Sequence, residues 1–384
     1  GNAALSSDYT FTTTTGTVTT GNTYYVATTG TNNAGCGAVG SPCLTIEYTY
    51  EKAALVAGDT ILVQPGTYTG GGSHNTYGRA LLRKSGTVNA PITIKSVTRG
   101  GAILDGGADA NMPFYFYIEG AQYNIIDGFV ITNTNKVGIA HWGGLNNKFI
   151  NNEIHHCGVA FIANGDGGAG VYEDTGSSGS YYANNYIHDN PSHGLYLMGD
   201  NVTVLNNIFS GMQQYGVQVA GNSTTTNMKI YNNTFNSNGR SGIVIWQSMS
   251  GVEVKNNIFY QNVDAAVELY YATGSGVVIN NNISYGNPGG DLISAGSTVS
   301  YTATNWLHSN PLFVNAAAHN FHLQAGSPAI NTGLTEATVT ADFDGVHRPQ
   351  GAAYDIGAYE VSASSPTRML INDGVTIKGS AQIR

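Results

Sequence analysis

The side chains best suited to moving protons lie close together in this chain: His155-His156, His188-Asp189 and His193. His155 and His188 stand at the same offset behind an Asn pair (Asn151-Asn152 and Asn184-Asn185), and so do His156 and Asp189. Imidazoles change charge near neutral pH, so two of them beside a carboxylate are the raw material of general acid–base catalysis. Turn residues of adjacent repeats also come together with no chemistry attached, and clustered titratable groups mark a site only statistically. His156, His188, Asp189 and His193 are therefore candidates, and no catalytic residue is assigned.

What would position these residues is a repeat. An Asn pair begins at 151, 184, 206, 232, 256 and 280, with Ile (154, 187, 283) or Phe (209, 235, 259) three residues after its first member. From the second copy on, a small residue stands ten positions after the first Asn: Gly194, Gly216, Gly242, Ala266 and Gly290. The steps are 33, 22, 26, 24 and 24 residues, a period typical of solenoids. No window sustains a helical apolar stripe, whereas Met228-Lys229-Ile230-Tyr231 and Gly242-Ile243-Val244-Ile245-Trp246 alternate like short strands. Three such strands in about 24 residues make one coil of a right-handed parallel β-helix. The expected fold is all-β, a solenoid over about 60–330 with Asn151, Asn184, Asn206, Asn232, Asn256 and Asn280 in one column. Stacked amides bond to the coils above and below, and Asn accepts the left-handed backbone of a sharp turn, so the pairs read as ladders rather than ligands. The coil starting at Asn151 is longer than the rest, and its Gly-rich excess around 163–170 reads as a protruding loop. With no following helix or Lys-Ser/Thr, that loop is no phosphate site.

On the strand after each small residue, alternation sends the second and fourth residues outward. That face shows Ala140/Trp142, Tyr172/Asp174, Tyr196/Met198, Gln218/Ala220, Val244/Trp246 and Glu268/Tyr270. Trp142, Tyr172, Tyr196, Trp246, Glu268 and Tyr270 are the expected contact residues, either for sugar rings or for another subunit, since flat rings serve both. A uronate lyase would need a cation to neutralise the substrate and a base; this face offers no Lys, no Arg and no Asp cluster. A glycosidase needs two carboxyl groups about 5–9.5 Å apart. Glu268 and Glu173, whose facing the sequence leaves open, sit four coils apart, roughly 19 Å at the β spacing. No metal site and no cofactor are expected.

Charged residues are only 10% of the 384, and a net charge of −9 argues against a nucleic-acid partner. No run of 18 apolar residues marks a membrane span. A start at Gly1, with no basic-then-apolar leader, fits a mature exported protein and equally a trimmed chain.

From Thr23 on, Tyr24-Tyr25-Val26, Ser41-Pro42-Cys43-Leu44-Thr45-Ile46, Ala57-Gly58-Asp59-Thr60-Ile61-Leu62-Val63 and Pro65-Gly66-Thr67-Tyr68 resemble the entry to pectate-lyase-like right-handed β-helices. The resemblance implies a capping helix, here 47–56, and a first coil. Pro91-Ile92-Thr93-Ile94-Lys95 and Ala102-Ile103-Leu104-Asp105-Gly106 are similar to the next coil. Asn310-Pro311-Leu312-Phe313, Gly326-Ser327-Pro328-Ala329-Ile330-Asn331, Asp342-Phe343-Asp344-Gly345 and Asp355-Ile356-Gly357-Ala358-Tyr359-Glu360 resemble the closing module of secreted bacterial β-helix proteins called choice-of-anchor proteins. This resemblance covers about 24–360 and implies fold and export rather than a reaction; polysaccharide lyases are among its members. Cys36 and Cys43, seven residues apart across a Gly/Pro loop, suit a disulfide in an oxidising compartment. Cys157 reads as a buried small hydrophobe.

The expected organisation is a Thr-rich strand-forming tail over 1–22, a β-helix over 23–361 with a cap (about 23–60) and a closing module (about 308–361), and a linker with a C-terminal hairpin over 362–384. Arg368-Met369-Leu370-Ile371, Asn372-Asp373-Gly374 and Val375-Thr376-Ile377-Lys378 supply the hairpin. Open solenoid edges are templates for a strand, so residues 1–20 and 368–384 could join copies head to tail into a filament, with the same chain as main partner. The leading expectation is a secreted or cell-surface structural protein that self-assembles. The alternatives are a polysaccharide lyase or glycosidase, and a non-catalytic carbohydrate-binding surface protein.

Overall fold

The computed structural model describes residues 21–52, 54–69, 80–107, 114–158 and 168–362. The Thr-rich stretch 1–20, the hairpin expected at 368–381 and the tip of the Gly-rich loop lie outside them. Each coil lays short strands on three faces. Face 1 carries the strands ahead of the Asn pair, such as Lys148–Ile150 and Tyr181–Ala183. Face 2 carries those after it, such as Glu153–His155, Tyr186–His188 and Ile208–Ser210. Face 3 carries those that begin around the small residue, such as Val137–Trp142, Ala169–Glu173 and His193–Leu197. Like residues stack coil over coil in parallel register: Ile154 on Ile187, and Phe209 on Phe235 on Phe259. Among the described residues, face 2 alone is nine parallel strands deep. The architecture is the right-handed parallel β-helix expected from the period.

The two members of each Asn pair have different tasks. The second members, Asn185, Asn207, Asn233, Asn257 and Asn282, form a buried ladder in which each side-chain amide donates to the carbonyl oxygen of the next, at 2.9–3.0 Å. The first members take the left-handed turn, with φ of 50–58° at Asn151, Asn184, Asn206, Asn232 and Asn256. Gly and, after it, Asn and Asp enter that region most readily, which accounts for the residue type.

Asn280 does not belong to this column, contrary to the sequence reading. It pairs with Lys255, and Asn281 takes the turn (φ 56°) and donates to Asn256. Between Trp246 and Ser248 the single Gln247 faces both Tyr271 and Ala272, and this bulge shifts the register by one residue.

The small residue ten positions on is a packing partner of the Phe column. A Cβ on Gly194, Gly216 or Gly242 would lie 2.8, 2.6 or 2.5 Å from a ring carbon of Phe209, Phe235 or Phe259 in the next coil. The fourth small residue is Ala266, and there the Phe column has given way to Ser284, which stacks on Phe259. The exchange of Gly for Ala thus tracks the exchange of Phe for Ser.

At the entry, Thr23–Val26 pairs with Thr60–Val63, and a helix Ile46–Lys52 covers the first coil. The helix is shorter than the expected 47–56, and its first turn is capped by the Thr45 hydroxyl, which accepts from the Tyr48 N–H at 3.2 Å. Cys36 and Cys43 are bonded, and Cys157 is free and buried.

The last parallel strand is Tyr301–Thr304, followed by one parallel bridge of Leu307 to Ile283, short of the expected 330. The chain then doubles back along the outside of the solenoid. Phe313, Phe321, Ala329, Ile356 and Ala358 pack on Ile208, Ile258 and Ile283, which face 2 turns outward. Asn206, Asn232, Asn256 and Asn281 donate to the backbone oxygens of Ala341, Asp355, Leu334 and Thr332. The Asp-Ile-Gly-Ala-Tyr-Glu stretch closes this segment on itself: buried Arg348 donates to Glu360 and to the Asp355 and Gly357 carbonyls, all at 2.8 Å. Among the described residues no helix is long and apolar enough to cross a membrane.

Candidate functional site

Face 3 carries the outward columns that alternation predicts. Ala140, Tyr172, Tyr196, Gln218, Val244 and Glu268 share one column. Three of the six expected contact residues form a continuous file, with ring centroids 5.8 Å apart for Trp142–Tyr172 and 5.3 Å for Tyr172–Tyr196. Trp246 and Tyr270 pair with each other farther along, four and five coils from Trp142, and are not part of this file.

The file runs into a titratable group that the sequence reading had not assembled. His193 lies 5.6 Å from Tyr196 and stacks at 5.6 Å on Tyr215. The Tyr215 hydroxyl donates to the Glu268 carboxylate at 3.1 Å, and the Arg240 guanidinium covers the Tyr215 ring at 5.0 Å. Arg240 also reaches Asp264 (3.3 Å) and Glu268 (3.8 Å). The expectation of a face without basic residues is therefore wrong. Arg240 starts in the turn ahead of the strand, and its long side chain reaches over the face from there; Arg83 is paired with Glu119 at 2.5 Å farther up.

Burial sets the protonation states. Desolvation, helped by the Arg240 charge, lowers the His193 pKa to about 3, so the ring is neutral, and among the described residues its Nδ1 has no hydrogen-bond partner. Desolvation and then the Glu268 charge raise the Tyr215 pKa, so the phenol stays protonated. Glu268 is buried at 4% exposure, while Tyr270, two residues on, is exposed. A neutral imidazole, a protonated phenol and a guanidinium side by side can accept a proton, donate one and balance a negative charge.

A second group lies on face 2. His155 pairs with His188 in the strand register, and their rings stack at 4.8 Å. His188 contacts Glu153 through Nε2 (3.2 Å) and Asp189 through Nδ1 (2.8 Å), and His156 meets His155 at 2.7 Å. His156 and Asp189 are the left-handed turn residues after their strands, φ 51° and 49°. The His188 pKa is raised: burial opposes it, and the hydrogen bonds to Glu153 and Asp189 prevail. The Glu153 pKa is lowered, first by the His188 hydrogen bond. His193 does not join this group, although it is five residues from His188. The turn at Asp189–Asn190 carries the chain round a corner to face 3.

Glu173, whose facing was open, points into the coil interior. It accepts from Tyr182 (2.5 Å) and Ser180 (3.0 Å), beside buried His141. It is structural and takes no part in either group. Tyr215 was missed because its one signal misleads: His193, Tyr215 and Ser241 each stand directly before the small residue, three positions ahead of the outward column, an odd offset that alternation reads as inward. Arg240 and Asp264 had none, because turn residues carry no facing rule.

A family model described as right handed beta helix region matches residues 92–259 and 227–310, more than half of the chain, and the chain belongs to that family. Pectate lyase L of Dickeya chrysanthemi is 29% identical over 143 residues, 36% of this chain and 32% of its own length. Pectate lyase L of Dickeya dadantii (strain 3937) is 28% identical over the same length. The chain spans about a third of the length of the curated relatives it matches. Among solved structures, pectate lyase Pel9A aligns over 89% of this chain and 96% of its own, at 20% identity and a TM-score of 0.59. A GH136 lacto-N-biosidase from Eubacterium ramulus aligns over 75% of this chain and 68% of its own, at 13% identity and a TM-score of 0.51. At these identities the structural likeness is one of fold.

Proposed function

We propose that this protein is a glycan-acting enzyme of the outer cell surface or medium, cleaving an acidic polysaccharide by β-elimination with the sugar chain along face 3. The observation that carries this reading is the unbroken file Trp142–Tyr172–Tyr196–His193–Tyr215, which ends on Arg240 and Glu268. The aromatic rings offer flat apolar surface to sugar faces. Arg240, with Gln218 one rung beyond Tyr196, balances the uronate carboxylate and so acidifies the neighbouring C–H. Once the uronate carboxylate offsets the Arg240 charge that helps hold it neutral, His193 takes that proton, the C–H electrons form the new double bond, and the C–O bond to the leaving sugar breaks. The Tyr215 hydroxyl returns a proton to the leaving oxygen. The pectate lyase relatives favour this class of substrate.

A second reading, glycoside hydrolysis, draws on Asp264 and Glu268, two carboxylates held by one Arg240. One experiment separates the two. The protein is incubated with pectate, alginate and a neutral glycan, and both unsaturated uronate ends and total reducing ends are followed. Elimination gives unsaturated ends with an acidic substrate, about 10²-fold slower in Tyr215→Phe. Reducing ends without unsaturation support the carboxylate pair. Glycan binding that Tyr196→Ala weakens, with no new ends, rejects the enzyme and leaves a binding protein. Filament formation through the tails is a separate proposal resting on residues 1–20 and 368–384, outside the described residues; deletion of residues 1–20 followed by negative-stain microscopy tests it.

A further inference from the structure

We propose that Glu153, His155 and His188 on face 2 form a binding site for one borderline divalent cation of the Zn2+, Ni2+ or Co2+ type, separate from the sugar-facing strands. One ligand atom from each of the three lies within 4.8 Å of the others. Two ligands on a tetrahedral ion at about 2.0–2.1 Å stand about 3.3 Å apart, and His188 Nε2 and Glu153 Oε1 are 3.2 Å apart before any ion is added. His155 is one coil away, its ring nearly parallel to that of His188 (20°, 4.8 Å). One of its ring nitrogens already lies within 4.8 Å of the ligand atoms of the other two.

The hydrogen bonding orients the ligands. The Asp189 carboxylate, 2.8 Å from His188 Nδ1, can only accept, so it fixes the proton on Nδ1. That leaves the Nε2 lone pair aimed at another set of lone pairs, those of Glu153, which requires a cation between them, either a proton or a metal ion. Carboxylate–imidazole–metal relays have this arrangement. His155 has a parallel partner in His156, whose Nδ1 lies 2.7 Å from its own Nδ1; a proton donated from His155 there leaves its Nε2 free to ligate.

Stacking of turn residues explains why His156 and Asp189 are near each other. It does not explain the three ligands, which come from the strands Glu153–His155 and Tyr186–His188, held in register by the parallel sheet. Two imidazoles and one carboxylate suit Zn2+ and its neighbours. Ca2+ prefers six to eight oxygens and is not matched by this set. His188 is largely buried, at 12% side-chain exposure, while Glu153 is 41% exposed, so the remaining coordination position opens outward. His319 of the returning segment borders it, 6.5 Å ring to ring from His188.

The test uses untagged, chelator-cleared full-length protein titrated with Co2+. The expected result is one equivalent per chain, with the visible bands of four-coordinate Co2+, displaced by Zn2+ and unaffected by Ca2+. Binding should weaken at least tenfold in Glu153→Gln and His188→Ala, and about 10–100-fold in Asp189→Asn, which retains the shape of the partner. His308→Ala, at an exposed His–Asp pair elsewhere, should leave it unchanged. No stoichiometric Co2+ or Zn2+ binding by the wild-type protein overturns the proposal. So does binding that survives Glu153→Gln and Asp189→Asn, two variants that alter no buried apolar packing.

Discussion

Asn256 and Leu334 exchange two hydrogen bonds: the Asn256 side-chain amide donates to the Leu334 carbonyl at 2.8 Å, and the Leu334 N–H donates back to the Asn256 oxygen at 2.9 Å. A residue that looks like one more rung of a repeat thus clamps a segment 78 residues away. Asn256→Gly keeps the left-handed turn and removes the clamp. It should lower unfolding stability by about 1–3 kcal/mol through unmet backbone groups. Asn256→Ala adds about 1–2 kcal/mol for an L side chain at φ 55°. Urea midpoints measure both, and equal values for the two variants would contradict the turn argument.

Acid should destabilise the fold through His193. Its pKa falls from 6.5 unfolded to about 3 folded, chiefly by burial. The unfolded chain binds the proton more tightly, so this contribution is complete above pH 6.5 and is lost as pH falls from 6.5 toward 3. The slope is about 1.4 kcal/mol per pH unit. His193→Gln should flatten stability between pH 6.5 and 4.5 relative to wild type. Equal slopes would show that His193 is not held neutral.

Gly242→Ala should cost about 1–3 kcal/mol, because its new methyl would fall 2.5 Å from the Phe259 ring. Trimming the ring with Phe259→Ser reproduces the Ala266–Ser284 pairing one coil on. In that background the Gly242→Ala cost should shrink, a coupling that a double-mutant cycle on thermal or urea unfolding detects.

Thiol chemistry separates the three cysteines. Burial raises the Cys157 pKa to about 12, so its thiol should resist alkylation in the native protein. Unfolding without reductant should expose one thiol, and reduction three. Rapid labelling of the native protein would contradict the buried position.

How much of this could be read from the sequence depends on what each residue was constrained by. The Asn, Phe and Gly columns are packing rules repeated every coil, so they announce the solenoid. The run Asn280-Asn281-Asn282 fits two registers equally well, and the bulge that chooses between them contains no repeat residue. The returning segment left one faint trace, Ile208, Ile258 and Ile283 at outward positions of face 2 where water would otherwise stand. Strand alternation marked Tyr172, Tyr196 and Glu268 on face 3. It had nothing to say about Arg240, which comes from a turn, or about the corner that parts His193 from His188.

The returning segment also changes how the array should come apart. Solenoids are one-dimensional: each coil leans on its neighbours, and the terminal coil frays first. Here Arg99, near the start of the array, donates to the Phe343 carbonyl at 3.2 Å, and the same segment is tied to Asn206, Asn232, Asn256 and Asn281. The last coil cannot peel away without releasing contacts to coils near the first. A chain built of near-identical units is thereby made to melt as one cooperative body.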